Sequence, residues 1–137
     1  MRHHKPYAAI TAGIIIAIAT AGCAHAPSLS RLVGGDRDEH GCLSAAGYTW
    51  SNARHDCVRV WEVGLRFDDG PSALFLVYST DSAYAEIFTP EKAPVLCRRV
   101  KGTDTWEAPK GTERVSISND VITVHTSYYD YTKTRCP

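Results

Sequence analysis

The sequence predicts a mainly β protein, a small antiparallel sheet or barrel-like domain entered through a disulfide-closed N-terminal loop. Three observations carry that expectation. Beyond Trp61 the chain is a succession of short apolar runs separated by turn residues. No window sustains an apolar period of about 3.6 residues, the mark of an amphipathic helix. Four of the five cysteines lie past residue 40, an even number that suits a disulfide framework.

Met1-Arg2-His3-His4-Lys5 is basic, and residues 7–21 then run uncharged through Ile10, Ile14, Ile15, Ile16 and Ile18. That is the charged start and apolar middle of a secretory signal. The run falls short of the roughly 20 residues a membrane-spanning helix needs. At its end, Thr20-Ala21-Gly22-Cys23 resembles the bacterial lipobox, with Thr20 standing where that pattern usually has Leu. The resemblance implies cleavage after residue 22 and acylation of Cys23 by palmitate-like chains, a stable anchor at about 0.8 kcal/mol per buried CH₂. Ala24 after the cysteine, rather than Asp, implies an outer-membrane lipoprotein facing the periplasm. Ala19-Thr20-Ala21 also offers an ordinary secretory cut, which would leave a secreted protein.

Loss of residues 1–22 removes Arg2 and Lys5 and no acid, so 13 Lys and Arg face 15 Asp and Glu. A net charge near −2 argues against nucleic acid as a partner and leaves the membrane, reached through the lipid, and an envelope or host protein. Residues 23–33, with Pro27, Ser28 and Ser30, read as a tether, and residues 34–137 as one domain. Its cysteines, Cys42, Cys57, Cys97 and Cys136, allow three connectivities. Cys42–Cys57 with Cys97–Cys136 is preferred because each bridge then closes within one half of the chain, for about 3 to 4 kcal/mol apiece. No Cys-x-x-Cys pair or suitably spaced His points to zinc, so neither metal nor cofactor is expected.

Residues 41–62 read as a stapled loop in which Ser51 caps one helical turn, with Tyr48 and Trp50 packed beside the Cys42–Cys57 bridge. Gly41, Cys42, Ser44, Ala46, Gly47, Tyr48, Trp50, Cys57, Arg59, Trp61 and Glu62 resemble a segment of uncharacterised bacterial envelope lipoproteins. That resemblance implies an envelope address and the first disulfide, and it implies no activity.

Strand composition recurs over 60–67, 73–78, 83–88, 95–100, 113–118, 121–126 and 127–133, punctuated by Asp69-Gly70-Pro71 and by 90–94. The best-determined piece is a hairpin around Asn119-Asp120, residue types that tolerate positive φ. It pairs Ser118 with Val121, Ile117 with Ile122 and Val115 with Val124. Val115, Ile117, Ile122 and Val124 then share an inner face, while Arg114, Ser116, Ser118, Val121, Thr123 and His125 share an outer one.

The densest ionisable clusters are Asp36-Arg37-Asp38-Glu39-His40 and His55-Asp56. Neither comes with a nucleophile, an oxyanion donor or any catalytic motif, so no enzyme is expected. Binding has more support. Tyr128-Tyr129-Asp130-Tyr131 concentrates tyrosine, a side chain suited to protein or glycan contact. A groove lined by Trp106, Tyr129 or Tyr131 would mark a ligand site. Lys110-Gly111-Thr112-Glu113 is similar to one motif of the bacterial lipoproteins that inhibit c-type lysozyme, and Ser82-Ala83-Tyr84 is a poor version of their other motif. That likeness implies a small disulfide-bonded barrel with Lys110 delivered into the enzyme's acidic cleft. The sequence thus points to an envelope binding module. The alternatives are an inhibitor of a lysozyme-type wall hydrolase and a structural envelope component.

Overall fold

The computed structural model describes residues 36–135. The signal segment 1–22, the lipid site Cys23, the tether 23–33 and Cys136 lie outside the described residues.

Asn119 and Asp120 have φ of 50° and 60°, the left-handed values that a tight two-residue hairpin turn requires. They join β8 (Arg114–Ser118) to β9 (Val121–His125). The register is the predicted one, Ser118 opposite Val121, Ile117 opposite Ile122, and Val115 opposite Val124. Val115, Ile122 and Val124 are buried, and Arg114 and His125 remain on the exposed face. His125 Nδ1 contacts the Asp130 carboxylate across the next ladder.

The same construction repeats through β3 (Leu65–Phe67), β4 (Leu74–Tyr78), β5 (Tyr84–Thr89), β6 (Lys92–Arg99), β7 (Thr105–Glu107) and β10 (Asp130–Thr134). Every neighbour in this eight-stranded antiparallel sheet is also a neighbour in sequence. The sheet curls into a nearly closed barrel, which hides most of the strand edge that an open sheet exposes. Its interior is filled by alternate residues, including Phe67, Leu74, Leu76, Ile87, Cys97, Trp106, Val124 and Tyr131.

Side chains close the seam between β10 and β3. The Asp69 carboxylate accepts the Thr132 N–H at 2.7 Å and its hydroxyl at 3.0 Å, while the Asp69 carbonyl accepts the Tyr129 hydroxyl at 2.6 Å. Burial pushes the Asp69 carboxyl up, but the bonds from Thr132 outweigh it and hold the group below the usual carboxylate range. Gly70 makes the approach possible, since a Cβ there would stand 2.2 Å from the Tyr131 ring.

Residues ahead of β3 form a cap on the outer face of β4 and β5. Asp38 Oδ1 accepts the N–H groups of His40 and Cys42, shaping a turn that presents Cys42 to Cys57. The disulfide joins them with a Cα–Cα distance of 5.5 Å. A two-stranded ribbon, β1 (Thr49–Ser51) and β2 (Asp56–Val58), sets Trp50 opposite Cys57. Its turn docks on Glu86, a fully buried carboxylate paired with the equally buried Val77 on the barrel's outside. Glu86 accepts the Ser51 hydroxyl at 2.6 Å, the Asn52 N–H and side-chain amide at 3.2 Å each, and the Ala53 N–H at 3.1 Å.

Several predicted elements are corrected. The run 60–67 is not one strand: Val60–Val63 is a single helical turn, α1, and β3 begins only at Leu65. After Ser51 the chain makes a turn between two strands rather than a helical turn, although Ser51 Oγ does accept the Arg54 N–H. Residues 90–94 do not end pairing as a block. Pro94 sits within β6 at a register shift opposite Phe88, a bulge that needs no N–H from it. Ser127 to Tyr129 turn around the Thr126 hydroxyl before β10 starts, so Tyr129 lies outside the strand. The strands β1, β2 and β7 are additions to the predicted set.

Candidate functional site

Because the barrel is a meander, its turns alternate between two ends. The β5–β6, β7–β8 and β9–β10 turns meet at one, the near end, and the β4–β5, β6–β7 and β8–β9 turns at the other, the far end. Each end opens into a cavity.

The near mouth encloses about 430 Å³, within the roughly 300–1,000 Å³ of small-molecule sites. Ile87, Val95 and Tyr131 line its apolar depth, and Glu91, Lys92, Glu113 and Tyr128 stand at its rim. Tyr131 is 4% exposed and packs edge-on against Tyr129 at 5.0 Å. Tyr128 is 80% exposed, and the Lys92 ammonium lies 4.2 Å from its ring centroid. Glu113 accepts the Thr112 hydroxyl and, at 3.4 Å, that of Ser127, which steadies one carboxylate at the lip. The result is an apolar well rimmed by an aromatic face, an ammonium and two carboxylates. Such a mouth can stack a flat apolar surface and hydrogen-bond its polar edge.

The structure gathers some of the predicted binding residues and separates others. Tyr129 and Tyr131 line the near mouth. Lys110 projects from the β7–β8 turn at the same end, next to Gly111 with its φ of 68°, and is exposed. Trp106 belongs to the far end. It is 3% exposed and donates its indole N–H to the Ser82 carbonyl at 2.9 Å. Ser82 itself lies in the β4–β5 turn, so Ser82 and Lys110 stand at opposite ends of the barrel.

The ionisable clusters line neither cavity. His40 stacks on Trp50 at 4.6 Å, Asp38 and Asp56 accept backbone N–H groups around the disulfide, and His55 occupies a turn at φ 53°. Among the described residues, no group of three or more His, Cys, Asp or Glu is placed to hold a metal ion.

The residues behind the envelope-lipoprotein resemblance prove to be mutual packing partners. The Trp61 ring lies against Gly47, where a Cβ would be 2.2 Å from it, and Gly47 has φ 81°. Arg59 covers the Tyr48 ring, donates to the Ala46 carbonyl at 3.0 Å and pairs with Glu62 at 3.0 Å. These positions build the cap and line neither cavity.

Sequence reasoning missed Glu91, Lys92 and Glu113 at the near mouth and Glu86 under the cap. Glu86 had a signal, a lone acid inside the apolar run Ala85-Glu86-Ile87-Phe88. The mouth residues had none, since only barrel closure brings three separate turns together.

No protein-family model, curated protein or solved structure matches the chain. Its class is defined by its own geometry, an eight-stranded, nearly closed meander barrel carrying a disulfide-closed cap on one flank.

Proposed function

We propose that this chain is a bacterial cell-envelope lipoprotein, anchored through Cys23 at the outer membrane and facing the periplasm, whose barrel serves as a binding module rather than an enzyme. The observation that carries the reading is the near mouth, where Tyr128 is held out beside an apolar well with charged groups of both signs around it. A large aromatic ring so placed offers contact area at low entropy cost. The Cys42–Cys57 bridge supports the address, because such bonds persist in oxidising compartments.

The chemistry of the mouth favours a polar ligand with a flat apolar face. In the envelope, the amino-sugar glycan of the cell wall is that class of molecule. The sugar ring would stack on Tyr128 while Glu91 and Glu113 accept its hydroxyl and amide hydrogens. The hydrolase-inhibitor alternative draws on Lys110 alone at this end, since Ser82 is at the other. Co-sedimentation with purified wall sacculi tests the proposal. The chain is expected to pellet with them, and Tyr128→Ala combined with Lys92→Ala is expected to reduce the bound fraction severalfold. Equal pelleting of both proteins, or none of either, would contradict it. A c-type lysozyme is expected to keep its rate at stoichiometric concentrations of the chain.

A further inference from the structure

The far mouth is chemically unlike the near one. It encloses about 510 Å³, again within the roughly 300–1,000 Å³ of small-molecule sites. Tyr78, Trp106, Ile117 and Ile122 line its depth. Tyr78 and Trp106 meet edge-on at 5.1 Å, and the Tyr78 hydroxyl is buried with no hydrogen-bond partner among the described residues.

Three cations occupy inward register positions at this end. Arg99 continues the inner face of Val95 and Cys97 on β6 and stands opposite buried Trp106, its guanidinium 5.2 Å from the indole. Lys133 continues the inner face of Tyr131 on β10 and stands opposite buried Ile122. Arg135 is the next inward position along the same strand line, and all three line the cavity. One acid answers them from within the lining, Asp104, already paired with Arg99 at 2.5 Å. Among the ion pairs of the described residues, neither Lys133 nor Arg135 takes part.

Inward charges on an edge strand are one device against edge-to-edge aggregation, and that would account for Lys133 on β10. It does not account for Arg99, since β6 is interior to the sheet and paired on both sides. An apolar well under two cations that pair with no acid among the described residues matches a different object, a molecule with an apolar body and an anionic head. We propose that the far mouth binds a single-chain anionic amphiphile, its head on Lys133 and Arg135 and its body against Trp106, Ile117 and Ile122. Side chains fill the barrel's middle, so the ligand would sit in the mouth above that packing, where the cavity has room for one such chain. A carboxylate and a phosphate monoester both offer the required head, and Arg135 can take either in bidentate fashion. The proposal is independent of the near mouth, and its failure would leave the glycan reading untouched.

The test is an amide chemical-shift titration of the full chain carrying Cys23→Ser, so that no covalent acyl chain competes. Dodecanoate, dodecyl phosphate, dodecanol and dodecyltrimethylammonium are compared below their micelle concentrations. The two anions are expected to bind saturably with shifts centred on Arg99, Ile117, Ile122 and Lys133, and the tighter of them identifies the head group. Lys133→Gln with Arg135→Gln should weaken anion binding about tenfold or more, as loss of charge-assisted bonds predicts. Arg98→Gln, on the outer face of β6, should leave it unchanged. Equal binding of the neutral or cationic chain, shifts centred on the near mouth, or no saturable binding of either anion would overturn the proposal.

Discussion

The Ser51 hydroxyl donates a 2.6 Å hydrogen bond to the Glu86 carboxylate, and neither residue has any exposed surface. This contact joins two parts of the chain that lie 35 residues apart. The cap is therefore held to the barrel by one carboxylate that serves as acceptor for an entire turn. Burying a charge is unfavourable unless it is paired or hydrogen-bonded, and here four donors from three consecutive residues satisfy it.

Replacing Glu86 should accordingly be costly. Glu86→Ala strands the Ser51 hydroxyl and the N–H groups of Asn52 and Ala53, and a loss of about 3 kcal/mol or more is expected. Glu86→Gln keeps the shape but turns acceptor positions into donors, so it should recover little of that loss. Urea denaturation measures both, and a Glu86→Ala penalty below about 0.5 kcal/mol, the usual size of a surface change, would contradict this role.

Stability at acid pH should depend on Asp69. Its folded-state pKa is depressed below the usual 3.8, so its contribution is fully present above that value and is lost as pH falls through the folded pKa. The seam between β10 and β3 should therefore loosen only below the usual carboxylate range. Asp69→Asn is expected to lower stability at neutral pH and to flatten this part of the acid profile. An unchanged profile would mean that another acid governs it.

The β8–β9 turn offers a gain rather than a loss. Asp120 holds φ 60°, a left-handed value that costs most side chains about 1 kcal/mol, Asp less than that, and glycine almost nothing. Asp120→Gly should raise the thermal midpoint slightly, whereas Asn119→Val, β-branched at φ 50°, should lower it. Calorimetry of the two variants checks both signs.

Intact mass of the protein from a bacterial envelope tests the covalent expectations together. A chain beginning at Cys23 with acyl groups, gaining two hydrogens for each bridge on reduction, is expected. Cys97 is fully buried, and burial pushes its thiol up to about 12. If it does not pair with Cys136, it should resist alkylation at pH 8 in the folded protein and react once the protein unfolds. A full-length unmodified chain would remove the envelope address.

What the sequence made legible was local. The β8–β9 hairpin could be read to the residue because two turn-forming residues and an alternating pattern determine its register without help from the rest of the chain. The Cys42–Cys57 pairing was legible as a preference for the same reason of proximity. The three-residue β7 was not, since Thr105-Trp106-Glu107 is too short for alternation to register, and α1 was not, because Val60-Trp61-Glu62-Val63 has strand composition. The candidate site was legible by residue type and illegible by position. Tyr129 and Trp106 both looked like contact residues, yet which end of the barrel each faces depends on counting strands through closure. Lys92 and Glu113 come from different turns, and nothing in their local sequence brings them to one rim.

The most direct test of the near mouth is an amide chemical-shift titration of the Cys23→Ser chain with soluble wall-glycan fragments. Saturable shifts confined to Lys92, Glu113 and residues 126–131, abolished by Tyr128→Ala while the spectrum elsewhere stays folded, are the predicted result. Saturable shifts centred on the cap or the far mouth, or a Tyr128→Ala protein that binds the fragments as well as the parent, would contradict the account.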